Sequence, residues 1–310
     1  MNRSSVFFVC VFLLYSIAIA DSENEILKNN ISDSTLRVSY NPFLVGGASL
    51  LIPGAGQVYT KHYIKGGTFL ASQAVTASFA VYWFNDAQLK KSSIKEFSKR
   101  TGFKSEIDSI KAKNDIAFLK HDERFSRYRA YNALAWASGL YVFNFLDAID
   151  GAGIVSKSGS RSPAVAGWLS AIPGLGLGQW YNGSLSKAGM MFMGQMSLGV
   201  TALNYHRLMN HAARQYNIID QSIIDAALNN NDTSSLSQAN KKYLEKWDFQ
   251  QNSAFKSRNT FLWYSLFFYF YGILDAVVDA HLHDYPEKMR VYPDLAPQND
   301  GALLRLNVKF

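Results

Sequence analysis

The sequence predicts an all-α membrane protein built from two tandem helical repeats, with about four full spans, two short broken helices and polar helical hairpins outside the bilayer. Three observations predict it. A glycine-rich motif occurs twice, as Ile52-Pro53-Gly54-Ala55-Gly56-Gln57-Val58-Tyr59 with Lys65-Gly66, and as Ile172-Pro173-Gly174-Leu175-Gly176-Leu177-Gly178-Gln179-Trp180-Tyr181 with Lys187-Ala188-Gly189. Uncharged stretches alternate with charged blocks in the same order in both halves. Each half closes on an aromatic apolar stretch and an acidic pair, Asp147/Asp150 and then Asp275/Asp279.

Residues 1–20 read as a secretory signal peptide. Arg3 opens it, an apolar core follows, and Ala18-Ile19-Ala20 is a small-x-small cleavage site. Cys10 is the only cysteine of the 310 residues and lies inside that segment. A mature chain without thiols excludes disulfides, zinc–cysteine sites and cysteine nucleophiles. Residues 21–41 are polar and read as a flexible leader.

Residues 42–150 form the first expected repeat. Residues 43–52 are apolar but too short to cross before Pro53 interrupts them. Residues 66–84 are uncharged and long enough to span. Residues 85–127 carry eleven Lys/Arg against seven Asp/Glu, with apolar residues at helical spacing, and predict a polar helical hairpin. Residues 130–146 are a second expected span.

A Gly/Ser linker precedes the second repeat, residues 163–283. Its expected spans are residues 188–205 and 261–274, separated by a polar block at 206–257. The tail, residues 284–310, contains Pro286, Pro293 and Pro297 and should be extended. Its end, Leu304-Arg305-Leu306-Asn307-Val308-Lys309-Phe310, alternates as a β-strand does.

In the motif, Pro53 ends a helix, Gly54 and Gly56 permit a tight turn and close approach, and Gln57 can satisfy backbone groups freed at the break. Tyr59 and Trp180-Tyr181 suit a bilayer interface. Aligned on Pro53-Gly54 and Pro173-Gly174, the second copy holds two extra residues, Leu175-Gly176 or Leu177-Gly178. A phosphate loop is disfavoured, because no strand precedes the glycines and no Gly-Lys-Ser/Thr follows. Asp147 and Asp150 (i,i+3) share a helix face, as do Asp275 and Asp279 (i,i+4). The simplest role for Asp147 and Asp275 is to accept from the glycine turns or to pair with Lys65, Lys187, Arg129 or Arg258. The expected pairing is Gly54/Gly56/Gln57 with Asp147 and Gly176/Gly178/Gln179 with Asp275. His283, one turn after Asp279, has too few companions for a metal site. No cofactor is expected.

These motifs, with the closing Asp275-Ala276-Val277-Val278-Asp279-Ala280-His281-Leu282, resemble an uncharacterised family of bacterial helical membrane proteins. That family carries a domain of unknown function with repeated Pro-Gly-x-Gly-Gln-x-Tyr hairpins. More distantly, each copy resembles a widespread two-span domain with a Gly-x-Gly-x-x-x-Tyr turn. The resemblance covers about residues 42–283 and implies a helical membrane fold without a known activity.

The expected protein is therefore a non-enzymatic integral membrane protein of the bacterial cell envelope, a structural or assembly subunit. Its expected partners are the lipid bilayer and either other envelope proteins or further copies in a homo-oligomer, and no nucleic acid. The net charge of +7 is concentrated where the positive-inside rule asks for it, which favours the inner membrane. The terminal strand pattern keeps the outer membrane as an alternative. A small channel or transporter lined by Asp147 and Asp275 is the alternative function, and a membrane enzyme using the acidic pairs ranks below it.

Overall fold

The computed structural model describes residues 40–99, 106–153, 159–228, 234–283, 290–298 and 301–309. The expected signal peptide and nearly all of the leader lie outside the described residues. Described residues 42–282 form helices α1 (Pro42–Leu51), α2 (Ala55–Tyr59), α3 (Tyr63–Ser98), α4 (Glu106–Gly151), α5 (Pro163–Ser170), α6 (Leu177–Tyr181), α7 (Leu185–Leu228) and α8 (Ser234–Leu282). Strands β1 (Arg290–Gln298) and β2 (Gly301–Lys309) follow as an antiparallel hairpin, with Arg290 opposite Lys309. The terminal strand pattern thus pairs within the chain. Pro293 and Pro297 are compatible with β1 because each strand of a two-stranded ribbon is an edge.

The expected spans and polar hairpins are not separate helices. Each span runs without a break into the neighbouring charged block, giving helices of 36, 46, 44 and 49 residues. At ~1.5 Å per residue the shortest is about 54 Å long, well beyond a ~30 Å hydrocarbon core. No proline lies inside α3, α4, α7 or α8 to stop them. Among the described residues, one helix is long and apolar enough to cross a membrane, within Asn240–Leu282, and only 17% of its apolar window is buried. The helices holding residues 66–84, 130–146 and 188–205 lack an 18-residue stretch that meets the same criterion. Ser, Thr, Gln and Asn interrupt their apolar residues.

The described chain divides into two compact units. One draws on Gly67–Tyr141 and Met193–Phe267. Its core is Trp247, Ala212, Ile219 and Tyr243, flanked by Phe118 and Tyr216. Polar side chains also cross between its helices: Gln73 donates to the Ala137 carbonyl at 3.1 Å, Ser197 to the Ala135 carbonyl at 3.2 Å and Asn204 to Asn132 at 2.7 Å.

The other unit draws on the residues up to Gly66, on Val142–Phe192 and on those from Phe268 onward. It contains both glycine turns. Its interior is made of small side chains such as Ala166, Ala276 and Ala280, with Val45, Phe143 and Met191. Small residues let helix backbones approach closely.

Candidate functional site

Both glycine motifs turn the chain in the same way. A short helix runs in, glycine takes a left-handed conformation, and one helical turn carries the glutamine inward. In the first motif α1 ends at Leu51 and Gly54 caps α2 with φ 89°. A Cβ on Gly54 would fall on the Gly66 carbonyl, so glycine is required for both conformation and space. In the second motif Gly174 (φ 85°) and Gly176 (φ 59°) do the turning, and a Cβ on Gly176 would lie 2.6 Å from the Ala188 carbonyl.

The contacts fix how the two motifs correspond. Gly56 sits against Ser49, Val45 and Ala148, while Gly178 sits against Ser170, Ala166 and Ala276. Gly54 therefore matches Gly176, Gly56 matches Gly178 and Gln57 matches Gln179. Pro53 and Gly54 do not match Pro173 and Gly174. From Ser49 to Gly54 the chain takes five steps, and from Ser170 to Gly176 it takes six. The second copy thus has one extra residue before the turn, not two inside it. Pro53 is half-buried and Pro173 exposed.

Asp147 is the centre of the first site. The Gln57 amide nitrogen donates to its Oδ2 at 3.0 Å and to the Asn144 carbonyl at 3.0 Å. Lys65 pairs with Asp147 Oδ1 at 2.7 Å, and the Ser186 hydroxyl donates to the same oxygen at 2.5 Å. The Ser186 amide donates to Asp150 at 3.1 Å. The Gly54 amide donates to Asn144 Oδ1, and the Gly56 amide to Ser49 Oγ, both at 3.0 Å. Asp147 is 3% exposed and both its oxygens are engaged, as a buried carboxylate requires.

Asp275 is the second centre. Gln179 donates to the Gly272 carbonyl at 2.6 Å and to Asp275 Oδ2 at 3.4 Å. Lys187 pairs with Asp275 at 3.1 Å and with Asp279 at 2.6 Å. The Asn182 amide donates to the Ala276 carbonyl at 2.7 Å. The partners of buried Asp147 and half-buried Asp275 are thus Lys65 and Lys187. Arg129 instead lies over the rings of Trp83 and Phe125 at 4.4 and 4.2 Å, and Arg258 bonds Asn259. Tyr59 is exposed and meets Tyr40 edge-on at 5.8 Å. Tyr181 is half-buried, its hydroxyl accepting from the Ser162 amide at 3.1 Å.

The chemistry of this arrangement is satisfaction of broken helices. No cluster of three or more His, Cys, Asp or Glu suited to a metal occurs among the described residues. His281 is exposed and His283 half-buried. A shallow depression lined by Pro163, Ala164, Gly167, Trp168 and Val277 carries no ionisable group.

Sequence reasoning missed a site in the other unit. His121 and His211 meet Nδ1 to Nδ1 at 3.1 Å, both buried, with Trp247 edge-on to His121 at 5.2 Å. One ring must donate and the other accept, so at least one is neutral. Burial pushes both below the ordinary histidine range. His121 is held down further by Arg124 and lifted by Asp122 and Gln250. His211, facing Arg124, His121 and Arg214, is pushed to about 4. The only signal in the sequence is that each histidine falls on the apolar stripe of an otherwise charged helix.

Comparison with known families then places the chain. The model of a family of unknown function, DUF5683, matches residues 39–154 and 159–307. The chain belongs to that family. The two matched stretches begin just before α1 and α5, so each covers one glycine turn and the two long helices after it. No curated protein and no solved structure matches the chain.

Proposed function

We propose that the protein is a non-enzymatic, membrane-embedded structural or assembly subunit of the bacterial cell envelope, made of two copies of one helical unit. The observation that carries this reading is an inverted distribution of polarity. Val81, Leu134, Leu203 and Leu262 are 60%, 49%, 47% and 50% exposed, whereas Thr76, Asn144, Gln179 and Thr201 are at most 2% exposed. A water-soluble domain does the reverse. In a bilayer the apolar side chains face lipid, while polar side chains bond across helices and satisfy broken backbone.

The two-copy reading is supported by corresponding contacts. Gln57 with the Asn144 carbonyl and Asp147 has its counterpart in Gln179 with the Gly272 carbonyl and Asp275. The motif residues are thus structural: the glycines make the turns and the aspartates anchor the glutamines. A channel lined by Asp147 and Asp275 has less support, since a lysine neutralises each.

Fractionation and transport assays test this. The full-length protein should stay in the membrane pellet after alkaline carbonate extraction. Asp147→Asn and Asp275→Asn should lower its abundance without altering ion flux in liposomes. Release by carbonate, or loss of a flux that the unaltered protein supports at unchanged abundance, would refute the reading.

A further inference from the structure

From the exposed outer faces of α3 and α8 we infer that the protein associates with further copies of itself head to tail, α3 of one copy packing on α8 of the next. The inference rests on the two-copy reading above. It also uses an interface already present in the chain, that of α7 on α4.

That interface has a definite register. Gly189 lies against Phe143 and Leu146, with a Cβ at 189 only 3.0 Å from Phe143 Cα. Met193 lies against Gly139, at 2.9 Å from where a Cβ would stand, and Ser197 bonds the Ala135 carbonyl at 3.2 Å. The corresponding contacts at the two turns relate α3 to α7 and α4 to α8. Gln57 and Lys65 match Gln179 and Lys187, a spacing of 122 residues, while Asp147 and Ala148 match Asp275 and Ala276, a spacing of 128. By these spacings Gly67, Ala71 and Val75 on α3 stand where Gly189, Met193 and Ser197 stand on α7. Tyr271, Phe267 and Trp263 on α8 stand where Phe143, Gly139 and Ala135 stand on α4.

In the interior the positions of the template are covered, and at the ends their counterparts are open. Phe143 is 1% exposed and Tyr271 52%. Gly189 is buried, whereas a Cβ on Gly67 would have no neighbour within 4 Å. Phe267 and Trp263 are 65% and 56% exposed. Burial follows one stripe on α3, through Phe69, Ser72, Thr76 and Ala80, but a wider surface on α4 and α7. The faces of α3 and α8 are therefore open at the positions where the template makes its contacts.

At two of the three matched positions the side chains on the open faces are complementary in volume, while the third sets Val75 and Trp263 where the template has Ser197 and Ala135. Glycine meets an aromatic in both cases, at Gly189/Phe143 and at Gly67/Tyr271. Where the template sets Met193 on Gly139, the open faces offer Ala71 and Phe267, with large and small exchanged. A contact between two different faces of one chain is heterologous, so it builds rings or filaments rather than a closed two-fold dimer.

Disulfide cross-linking of the full-length chain in native membranes, in a Cys10→Ser background, tests this. The pair Ala71→Cys/Phe267→Cys should give, on oxidation, a ladder of dimers and higher species. Ala71→Cys or Phe267→Cys alone should give monomer. Gly67→Leu should cut the ladder at least tenfold, whereas Gly47→Leu, at another open glycine, should not. The matching intrachain pair, Gly139→Cys/Met193→Cys, should form a disulfide within one chain. If that intrachain bond forms and the first pair stays monomeric, the interface is refuted and lipid alone covers these faces. A dimer from either single variant would indicate a symmetric contact and would also refute it. A ladder formed by protein that carbonate releases would uphold the interface and refute the membrane reading.

Discussion

The two glycine turns use the same device but satisfy it to different degrees. At the first, Ser49 Oγ accepts from the Gly56 amide and donates to Gln57 Oε1 at 3.3 Å. At the second, the Ser170 hydroxyl lies against Gly178 as Ser49 lies against Gly56, but buried Ser170 Oγ has no hydrogen-bond partner among the described residues. Asn144, which accepts from the Gly54 amide, is replaced by Gly272, which has no side chain to do so. Asp147 is almost fully buried and gathers Gln57, Lys65 and Ser186, whereas Asp275 shares Lys187 with Asp279. The difference teaches that the essential part is the left-handed glycine followed by an inward glutamine. The serine and asparagine are reinforcement that one turn has and the other lacks.

The largest expected effect tests the shared part. Gly54→Ala should cost on the order of 3 kcal/mol or more, because it adds both a positive-φ strain and a collision with the Gly66 carbonyl. Gly47→Ala, where a Cβ meets nothing, should be neutral or slightly stabilising. Thermal unfolding in detergent checks both.

A region apart from the turns supplies the next effect. Burial holds His121 and His211 below the ordinary histidine range of about 6.5 in the folded chain, His211 at about 4. As the pH falls, the unfolded chain takes up protons first. The folded state should therefore keep full stability above about pH 6.5 and lose it toward about pH 4, by on the order of 3 kcal/mol. His211→Gln should flatten that slope in unfolding curves recorded against pH, and no turn variant should.

Asp147→Asn should cost about 2 to 3 kcal/mol, since it leaves Lys65 without its anion in a buried setting. Asp275→Asn should cost about 1 kcal/mol, since Lys187 keeps Asp279. Equal losses would show that the two turns are equally dependent on their carboxylates. The smallest contrast is the sharpest. Ser49→Ala should cost about 1 to 2 kcal/mol by stranding the Gly56 amide. Ser170→Ala should cost nothing or stabilise slightly, because it removes an unpaired buried hydroxyl.

What was legible in the sequence followed from local rules. Glycine, glutamine and a later aspartate are the residue types a broken apolar helix requires, and the structure joins Gln57 to Asp147 and Gln179 to Asp275. The correspondence of the motifs was less legible. Aligning on the Pro-Gly dipeptide sets Gly174 against Gly54, whereas the expected pairing of Gly176/Gly178/Gln179 with Asp275 sets Gly176 there, as the backbone does. Only contacts at a distance, Gly178 with Ala276 and Gly176 with Ala188, decide this. The helix lengths were hidden because a change from apolar to charged surface alters a helix's surroundings without stopping it. The His121–His211 pair was hidden because its partners are 90 residues apart and neither lies in a motif.

A double-mutant cycle on the two glutamine–aspartate pairs tests the central claim most directly. Gln57→Ala and Asp147→Ala, singly and together, should show a coupling of about 1 to 3 kcal/mol in unfolding free energy, and Gln179→Ala with Asp275→Ala a smaller coupling of the same sign. Additive losses at the first pair would contradict the claim that Asp147 is in place to hold Gln57 at the turn.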